Sequence, residues 1–289
     1  MSDCHVLLAV TTGAGDDEAV VDAAAWLSAA EGAKAHVVPV LVNPALEFVD
    51  LAVELGAPVT GQTLRDAERV DLEVQARIRS LVALARARYG LDGRAAGRES
   101  LTLHPHRHDR WWTPPAILPL ADLTLFGRGG ARGPGMLTDA FDAWVLRSGT
   151  PTLLVGSEAS SLQGGRAAIA WDNSAEAVRA VRAATPLLSR ASEIVILQAP
   201  GGVARDRREG AAPDRLQAYL DDCGLTRVRV ETVDGLGEGE RLIEATERLE
   251  ARVLVAGAFD HSRAREALFG GATRAFLNAA PALHLLLSH

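Results

Sequence analysis

Short apolar segments alternate with amphipathic ones along this chain, and that alternation constrains the fold more than any other feature. In the C-terminal part the predicted strands are 166–171, 194–197, 228–233, 252–257 and 281–287, and the predicted helices are 175–189, 213–222 and 238–250. Apolar strands that alternate with helices build a parallel sheet covered on both faces. We therefore predict an α/β fold with a doubly wound parallel sheet.

The N-terminal part repeats this order, with predicted strands at 5–10, 35–42, 100–103, 123–127 and 151–155. An offset of 130 residues relates Gly127 to Gly257 and Pro151 to Pro281, so the fourth and fifth strands share one spacing. We predict two tandem five-stranded domains, 1–156 and 165–289, joined by a linker of flexible composition. The first carries an insertion at 43–90, to which no role is assigned.

Composition limits the partners. The formal net charge of −7 argues against non-specific nucleic-acid binding, which needs a basic surface. No apolar run has the length of a membrane span, and the N-terminus does not read as a signal peptide. The two cysteines lack CxxC spacing, which is typical of a reducing compartment. We expect a cytoplasmic protein without a nucleic-acid or membrane partner.

The segment after the fourth strand of the second half contains the candidate site. Gly270 and Gly271 precede a predicted helix at 272–279. Glycine lets a backbone approach a ligand, and the free N–H groups at a helix start favour phosphate. Parallel sheets bind ligands at the carboxyl ends of their strands, where this segment and the polar turn 172–174 both lie.

In these segments the sequence resembles the universal stress protein family. Its nucleotide-binding members carry Gly-x2-Gly-x9-Gly-Ser/Thr in this loop and an Asp, facing the adenine, at the end of the first strand. Gly257 and Gly270 match the first and last glycines, and Asp172 stands where that Asp is expected. The resemblance implies an adenine nucleotide alpha hydrolase-like, Rossmann-like fold of strand order 3-2-1-4-5. It also implies ATP or another adenine nucleotide as the ligand, accompanied by Mg²⁺.

The loop departs from the family pattern at two positions. Asp260 replaces the second glycine and puts a negative charge near the phosphates, which Arg263 could offset. Gly271 replaces the Ser/Thr, and Thr273 is a substitute hydroxyl. The predicted nucleotide-binding residues are Asp172, Ser174, Gly257, Asp260, Arg263, Gly270, Gly271, Ala272 and Thr273. The alternative is that the glycines only close the turn and let the helix pack.

The first half is predicted not to bind nucleotide. The offset of 130 puts Ala140 and Phe141 where the second half has Gly270 and Gly271, and the phenylalanine would fill the phosphate space. Thr11 is read as the equivalent of Asp172. The glycine-rich stretch 127–135 is interpreted as a mobile loop, with an anion contact as the alternative.

The favoured function is a non-enzymatic, stress-related regulatory protein that binds a nucleotide in its second half. The resemblance implies that the halves pair through their fifth strands, 151–155 and 281–287, as a pseudo-dimer within one chain. Two chains could associate further, and the regulatory protein partner is unknown. A weak ATP hydrolase, a nucleotide transferase of related fold and a non-binding scaffold stay open. No Gly-x-Ser-x-Gly elbow suggests a nucleophile, and no metal site is predicted.

Overall fold

The computed structural model places one continuous sheet through the whole protein. It describes residues 6–41, 49, 52–54, 58–92, 100–105, 107–108, 120–129, 149–199, 212–233, 238–258 and 271–289. The strands in the N-terminal half are β1 (Val6–Thr11), β2 (Lys34–Leu41), β3 (Leu101–Leu103), β4 (Arg107–His108), β5 (Leu123–Gly127) and β6 (Thr152–Val155). Those in the C-terminal half are β7 (Arg166–Ala170), β8 (Glu193–Gln198), β9 (Val228–Thr232), β10 (Ala251–Gly257) and β11 (His284–Ser288).

The strand order is β3-β2-β1-β5-β6-β11-β10-β7-β8-β9, and β4 adds to the far end of β2. Neighbouring strands within each half run parallel. The only antiparallel pair in the described sheet joins β6 to β11, with Leu154 opposite Leu285. The α/β class and the mostly parallel sheet are confirmed. Because β6 and β11 are the last strands of their halves, their pairing makes one sheet of two.

Six helices cover the described part of the sheet. They are α1 (Asp17–Glu31), α2 (Gly61–Arg88), α3 (Ala175–Leu188), α4 (Pro213–Asp222), α5 (Glu238–Arg248) and α6 (Gly271–Asn278). Side chains of α1 to α4 pack in the core on one face of the sheet, whereas α5 and α6 pack on the other. Each core contains residues of both halves, as Leu125 and Val255 show on the first face. The hydrophobic layers therefore continue across the junction.

The segment between the halves is packed, although its composition suggested a flexible linker. Ala159–Leu162 forms a 3-10 turn, and the Leu162 side chain is only 2% exposed within the core that covers α1 and α3. Burial of the Leu162 side chain thus orders this segment, despite the serines and glycines around it. The predicted domain limits of 1–156 and 165–289 stay a prediction.

The fifth strand of the second half begins later than predicted. Pro281 was read as its first residue, but the strand starts at His284. Residues 280–283 form a tight turn, in which the Leu283 N–H donates to the Ala280 carbonyl at 3.1 Å. Proline is favoured at the second position of such turns, which is where Pro281 lies. The strand pairings Leu125–Leu153 and Val255–Leu286 show that the offset of 130 does not extend to the fifth strands.

Candidate functional site

The candidate site begins at the carboxyl end of β7, in a turn that leads into α3. The Ser174 N–H donates to the Asp172 carboxylate at 2.9 Å, and Asn173 has a φ of 60°. Asparagine tolerates this left-handed conformation better than most residues. The Ser174 hydroxyl then caps α3 by accepting the Ala177 N–H at 3.0 Å. Asp172 and Ser174 thus shape the turn, whatever else they contact.

Gly257 ends β10 against the first turn of α3. A Cβ atom at this position would lie 2.7 Å from the Ala177 nitrogen and 3.0 Å from the Ser174 hydroxyl oxygen. The first distance is too short for a methyl group and involves backbone, and the second is tight. The first glycine of the predicted motif is therefore required by packing. The structure brings together Asp172, Ser174 and Gly257.

Two buried polar atoms flank this junction. The indole N–H of Trp171, the residue before Asp172, is buried and has no hydrogen-bond partner among the described residues. Ser288 pairs with Gly257 in the sheet. Its hydroxyl is also buried and has no hydrogen-bond partner among the described residues. Buried polar groups are almost always hydrogen-bonded. The pair therefore represents unsatisfied hydrogen-bonding capacity beside the candidate site.

The remaining predicted residues are placed in part. The backbone of Gly271, Ala272 and Thr273 forms the first turn of α6, which begins one residue before the predicted start at 272. Asp260, Arg263 and Gly270 lie outside the described residues. Their roles, and the choice between a phosphate cradle and a simple turn, stay predictions.

The first half has the same junction with a different side chain in it. The pairings Leu7–Leu123 and Ala167–Val253 make Gly127 the equivalent of Gly257. A Cβ atom at Gly127 would overlap the carboxylate of Asp16, the residue before α1. That carboxylate accepts the N–H of Gly129. The first half thus places a carboxylate against its glycine loop, where the second half has the Ser174 hydroxyl and the Cβ of Glu176.

The same pairings correct one predicted equivalence. Thr11 was read as the counterpart of Asp172, but the strand register gives that place to Thr12. The Thr12 N–H donates to the Asp17 carboxylate at 2.9 Å, and the Gly13 N–H donates to its other oxygen at 2.9 Å. Ala140 and Phe141, which were predicted to block this half, lie outside the described residues.

Asp17 is a second carboxylate at the start of α1 and, unlike the partly exposed Asp16, it is buried. Burial raises the pKa of Asp17 to about 6, against the two backbone N–H bonds, which lower it. Arg77 of α2 lies 3.7 Å away. Asp16 and Asp17 thus lie at the amino end of this helix. The second half has Ser174 and Ala175 there, followed by Glu176, a buried carboxylate that pairs with Arg179.

Sequence reasoning missed Arg128, which lies between Gly127 and Gly129. Its guanidinium is buried and donates to five backbone carbonyls of the other half. The acceptors are Phe276, Leu277, Ala279, Ala280 and Leu283, at 2.7 to 3.3 Å. These carbonyls belong to the end of α6 and the turn after it. The glycine-rich stretch drew attention to the loop, but no sequence pattern indicated that the arginine reaches across the junction.

His284 of β11 is the second polar residue at the junction that the sequence did not reveal. It is fully buried; its Nδ1 accepts the Gly156 N–H at 2.9 Å, and its Nε2 lies 2.7 Å from the Ser161 hydroxyl. Because a backbone N–H can only donate, the ring proton is on Nε2. Burial lowers the pKa of His284 to about 4.

His36 and His104 form a third polar contact that was not predicted, with Nδ1 and Nε2 2.9 Å apart. The His104 side chain is half-buried. Burial and the neighbouring His104 lower the pKa of His36.

Within the described residues no helix has the length and apolar character that a membrane span requires.

Comparison with known proteins gives a fold and no close relative. No family model matches the sequence, and no curated protein matches it. Among solved structures, a universal stress protein from Archaeoglobus fulgidus DSM 4304 is similar, with a TM-score of 0.63 and 12% identity over 97% of this chain and 94% of that one. A putative universal stress protein from Pseudomonas aeruginosa UCBPP-PA14 has a TM-score of 0.54 and 13% identity over 98% and 92%.

A third solved structure, a protein of unknown function from Pseudomonas aeruginosa PAO1, has a TM-score of 0.53 and 13% identity over 98% of this chain and 91% of that one. The layers and strand order define a doubly wound α/β protein. More narrowly, the chain has the Rossmann-like fold found in these universal stress proteins.

Proposed function

We propose that this protein is a non-enzymatic regulatory protein of the stress response that binds one adenine nucleotide per chain, in its second half. The observation that carries the proposal is the contrast between two equivalent junctions. In the first half the Asp16 carboxylate lies in the glycine loop. In the second half the Ser174 hydroxyl lies there, and the nearby Glu176 carboxylate pairs with the cation Arg179 at 3.0 Å. An anionic ligand is repelled by the first arrangement and tolerated by the second.

Buried polar atoms without a partner among the described residues lie beside this site, and Thr11, the first-half counterpart of Trp171, has one as well. Trp171 supplies an N–H donor and Ser288 a hydroxyl, both buried beside Asp172 and Gly257. An adenine nucleotide offers ring nitrogens and ribose hydroxyls that can pair with such groups. The residues that would hold it are the predicted set from Asp172 to Thr273, with the phosphates at the start of α6. Mg²⁺, if it accompanies the nucleotide, would be held mainly by the phosphates.

Calorimetric titration of the full chain with ATP tests the proposal. We expect one nucleotide per chain for the wild type and none for Gly270→Phe, because the ring would fill the space before α6. Gly61→Phe is the matched control, since Gly61 begins another helix, α2, in the first half. It should bind like the wild type. Failure of the wild type to bind AMP, ADP or ATP would leave the scaffold alternative standing instead.

A second measurement separates a binding protein from an enzyme. Incubation with ATP and Mg²⁺ should release no phosphate above the rate without protein. Release that is lost in Gly270→Phe and kept in Gly61→Phe would instead favour the weak ATP hydrolase.

A further inference from the structure

We infer that Arg128, a residue of the first half, is a positioning residue for the nucleotide site of the second half. This inference rests on the proposed function. Arg128 binds carbonyls at the C-terminal end of α6. The phosphates are proposed to lie at the N-terminal end of the same helix.

The carbonyls need such a partner. The last four C=O groups of any α-helix have no partner within the helix. In the last turn of α6 the guanidinium binds the carbonyls of Phe276 and Leu277, at 3.3 and 2.9 Å. It also binds the carbonyls of Ala279 and Ala280, just beyond the helix, at 2.8 and 2.7 Å. A cation at a helix C-terminus also interacts favourably with the negative end of the helix dipole. Arg128 is only 5% exposed, so water screens this interaction weakly.

The helix depends on contacts of this kind. α6 has 8 residues, and isolated helices shorter than about 12 residues are marginal in water. Its buried anchor on the sheet is Phe276, whose carbonyl is itself one of the acceptors of Arg128. At about 1.5 Å per residue, the two ends of α6 are only about 12 Å apart. A loosened C-terminal end therefore disorders the N-terminal turn as well.

The arginine is itself held firmly by the first half. Its backbone N–H donates to the Val155 carbonyl of β6 at 3.2 Å. The next residue, Gly129, donates to Asp16 at the start of α1. A continuous set of contacts thus runs from α1 through the glycine loop of the first half to α6 of the second. Ala258, the equivalent of Arg128 in the second half, cannot return the contact.

The first half would then contribute to nucleotide binding although it binds no nucleotide itself. Through Arg128, its glycine loop holds α6, the helix proposed to contact the nucleotide in the second half. Nucleotide binding and the contact between the halves should consequently be coupled, and such coupling acts equally in both directions.

The test compares two arginines that both cross the junction. Arg190 of the second half donates to the Ala30 carbonyl and pairs with Glu31 at the end of α1. Helix α1 lies on the opposite face of the sheet from α6. Arg128→Ala should weaken ATP binding roughly tenfold in calorimetry, within the usual range of coupling between sites. Arg190→Ala should leave the affinity within twofold of wild type, even where it lowers the melting temperature.

Two further readouts make the result specific to positioning. Amide hydrogen exchange of 271–278, measured without nucleotide, should rise in Arg128→Ala and stay unchanged in Arg190→Ala. Arg128→Lys, which keeps the charge but has three donors, should bind with an intermediate affinity. If Arg128→Ala does not fold, Arg128→Lys and Arg128→Gln carry the comparison.

Each outcome decides the matter. Wild-type affinity in folded Arg128 variants would overturn the inference and leave the proposed function intact, even if hydrogen exchange in α6 rises. Equal losses in the Arg128 and Arg190 variants would also overturn it, since stability alone would then explain both. A wild type that binds no nucleotide would overturn the proposed function, and this inference with it.

Discussion

The two halves of this protein have the same contact between a strand-end glycine and a helix start, but different side chains at that contact. In each, the strand before the candidate loop ends in a glycine that touches the start of a helix, Gly127 at α1 and Gly257 at α3. The residue that precedes the helix is Asp16 in one half and Ser174 in the other. Asp16 takes a loop amide, whereas Ser174 takes an amide of its own helix. Under the proposed function, this difference at one helix start separates the half that binds an anion from the half that does not.

The largest effect should follow from giving the second half the side chain of the first. Ser174→Asp should weaken ATP binding about a hundredfold, because one charge contact near a protein surface is worth about 3 kcal/mol at roughly 6 Å. Stability should hardly change, since Asp and Ser are equally good helix caps. Ser174→Asn is the neutral control of the same shape and should bind like the wild type. Equal losses in both variants would show that charge is not the cause.

The two glycines should differ in what they tolerate. Gly257→Ala should lower the free energy of unfolding by about 2 kcal/mol, because the added methyl group meets the backbone of Ala177. Gly127→Ala should cost less, about 1 kcal/mol or below, because the Asp16 carboxylate can rotate away. Urea denaturation of both variants measures the difference. Indistinguishable midpoints would refute the different packing of the two junctions.

The seam between the halves should be sensitive to acid. The unfolded His284 takes up a proton near pH 6.5 and the folded one only near pH 4, so its contribution is complete above about pH 6.5 and is lost as the pH falls toward 4. Between pH 7 and pH 5 this loss is about 2 kcal/mol. Asp17 acts in the opposite direction between about pH 4 and 6, because its folded pKa is raised.

His284→Asn separates the two contributions, since asparagine keeps an acceptor for the Gly156 N–H and does not titrate. Its free energy of unfolding, measured by urea at pH 7 and pH 5, should lack the fall that His284 contributes. The same pH dependence in variant and wild type would rule out His284 as its source.

The smallest effect is expected at the first-half cap. Asp16→Asn keeps an acceptor for the Gly129 N–H and removes only the charge, so the free energy of unfolding should drop by no more than about 1 kcal/mol. The Gly129 backbone is exposed, and water can replace part of the bond. A loss of several kcal/mol in thermal or urea unfolding would contradict this and would mean that the Asp16 charge is essential for stability.

The sequence predicted the fold class and most element bounds well, because buried strands and capped helices have strong periodic signals. Ser174 marked the start of α3, and Gly271 the start of α6. Equivalences between the halves were less certain. Thr11 was one residue out of register, and Pro281 was read as strand when it belongs to a turn.

The candidate site was predictable only where the residues adjoin in sequence. The turn 172–174 follows from local hydrogen bonding, so a motif could reveal it. Arg128 meets acceptors about 150 residues away, and His284 meets Gly156 across the junction. No local pattern encodes such contacts. The sequence assigned no role to Asp16, because the contact of its carboxylate with the loop depends on the position of β5.

Photolabelling tests the central contrast most directly. The full chain is irradiated with an azido derivative of ATP, with and without excess ATP, and the labelled peptides are identified by mass spectrometry. The account predicts protectable label only in peptides from 165–289. Protectable label in peptides from 1–156, at comparable yield, would contradict it.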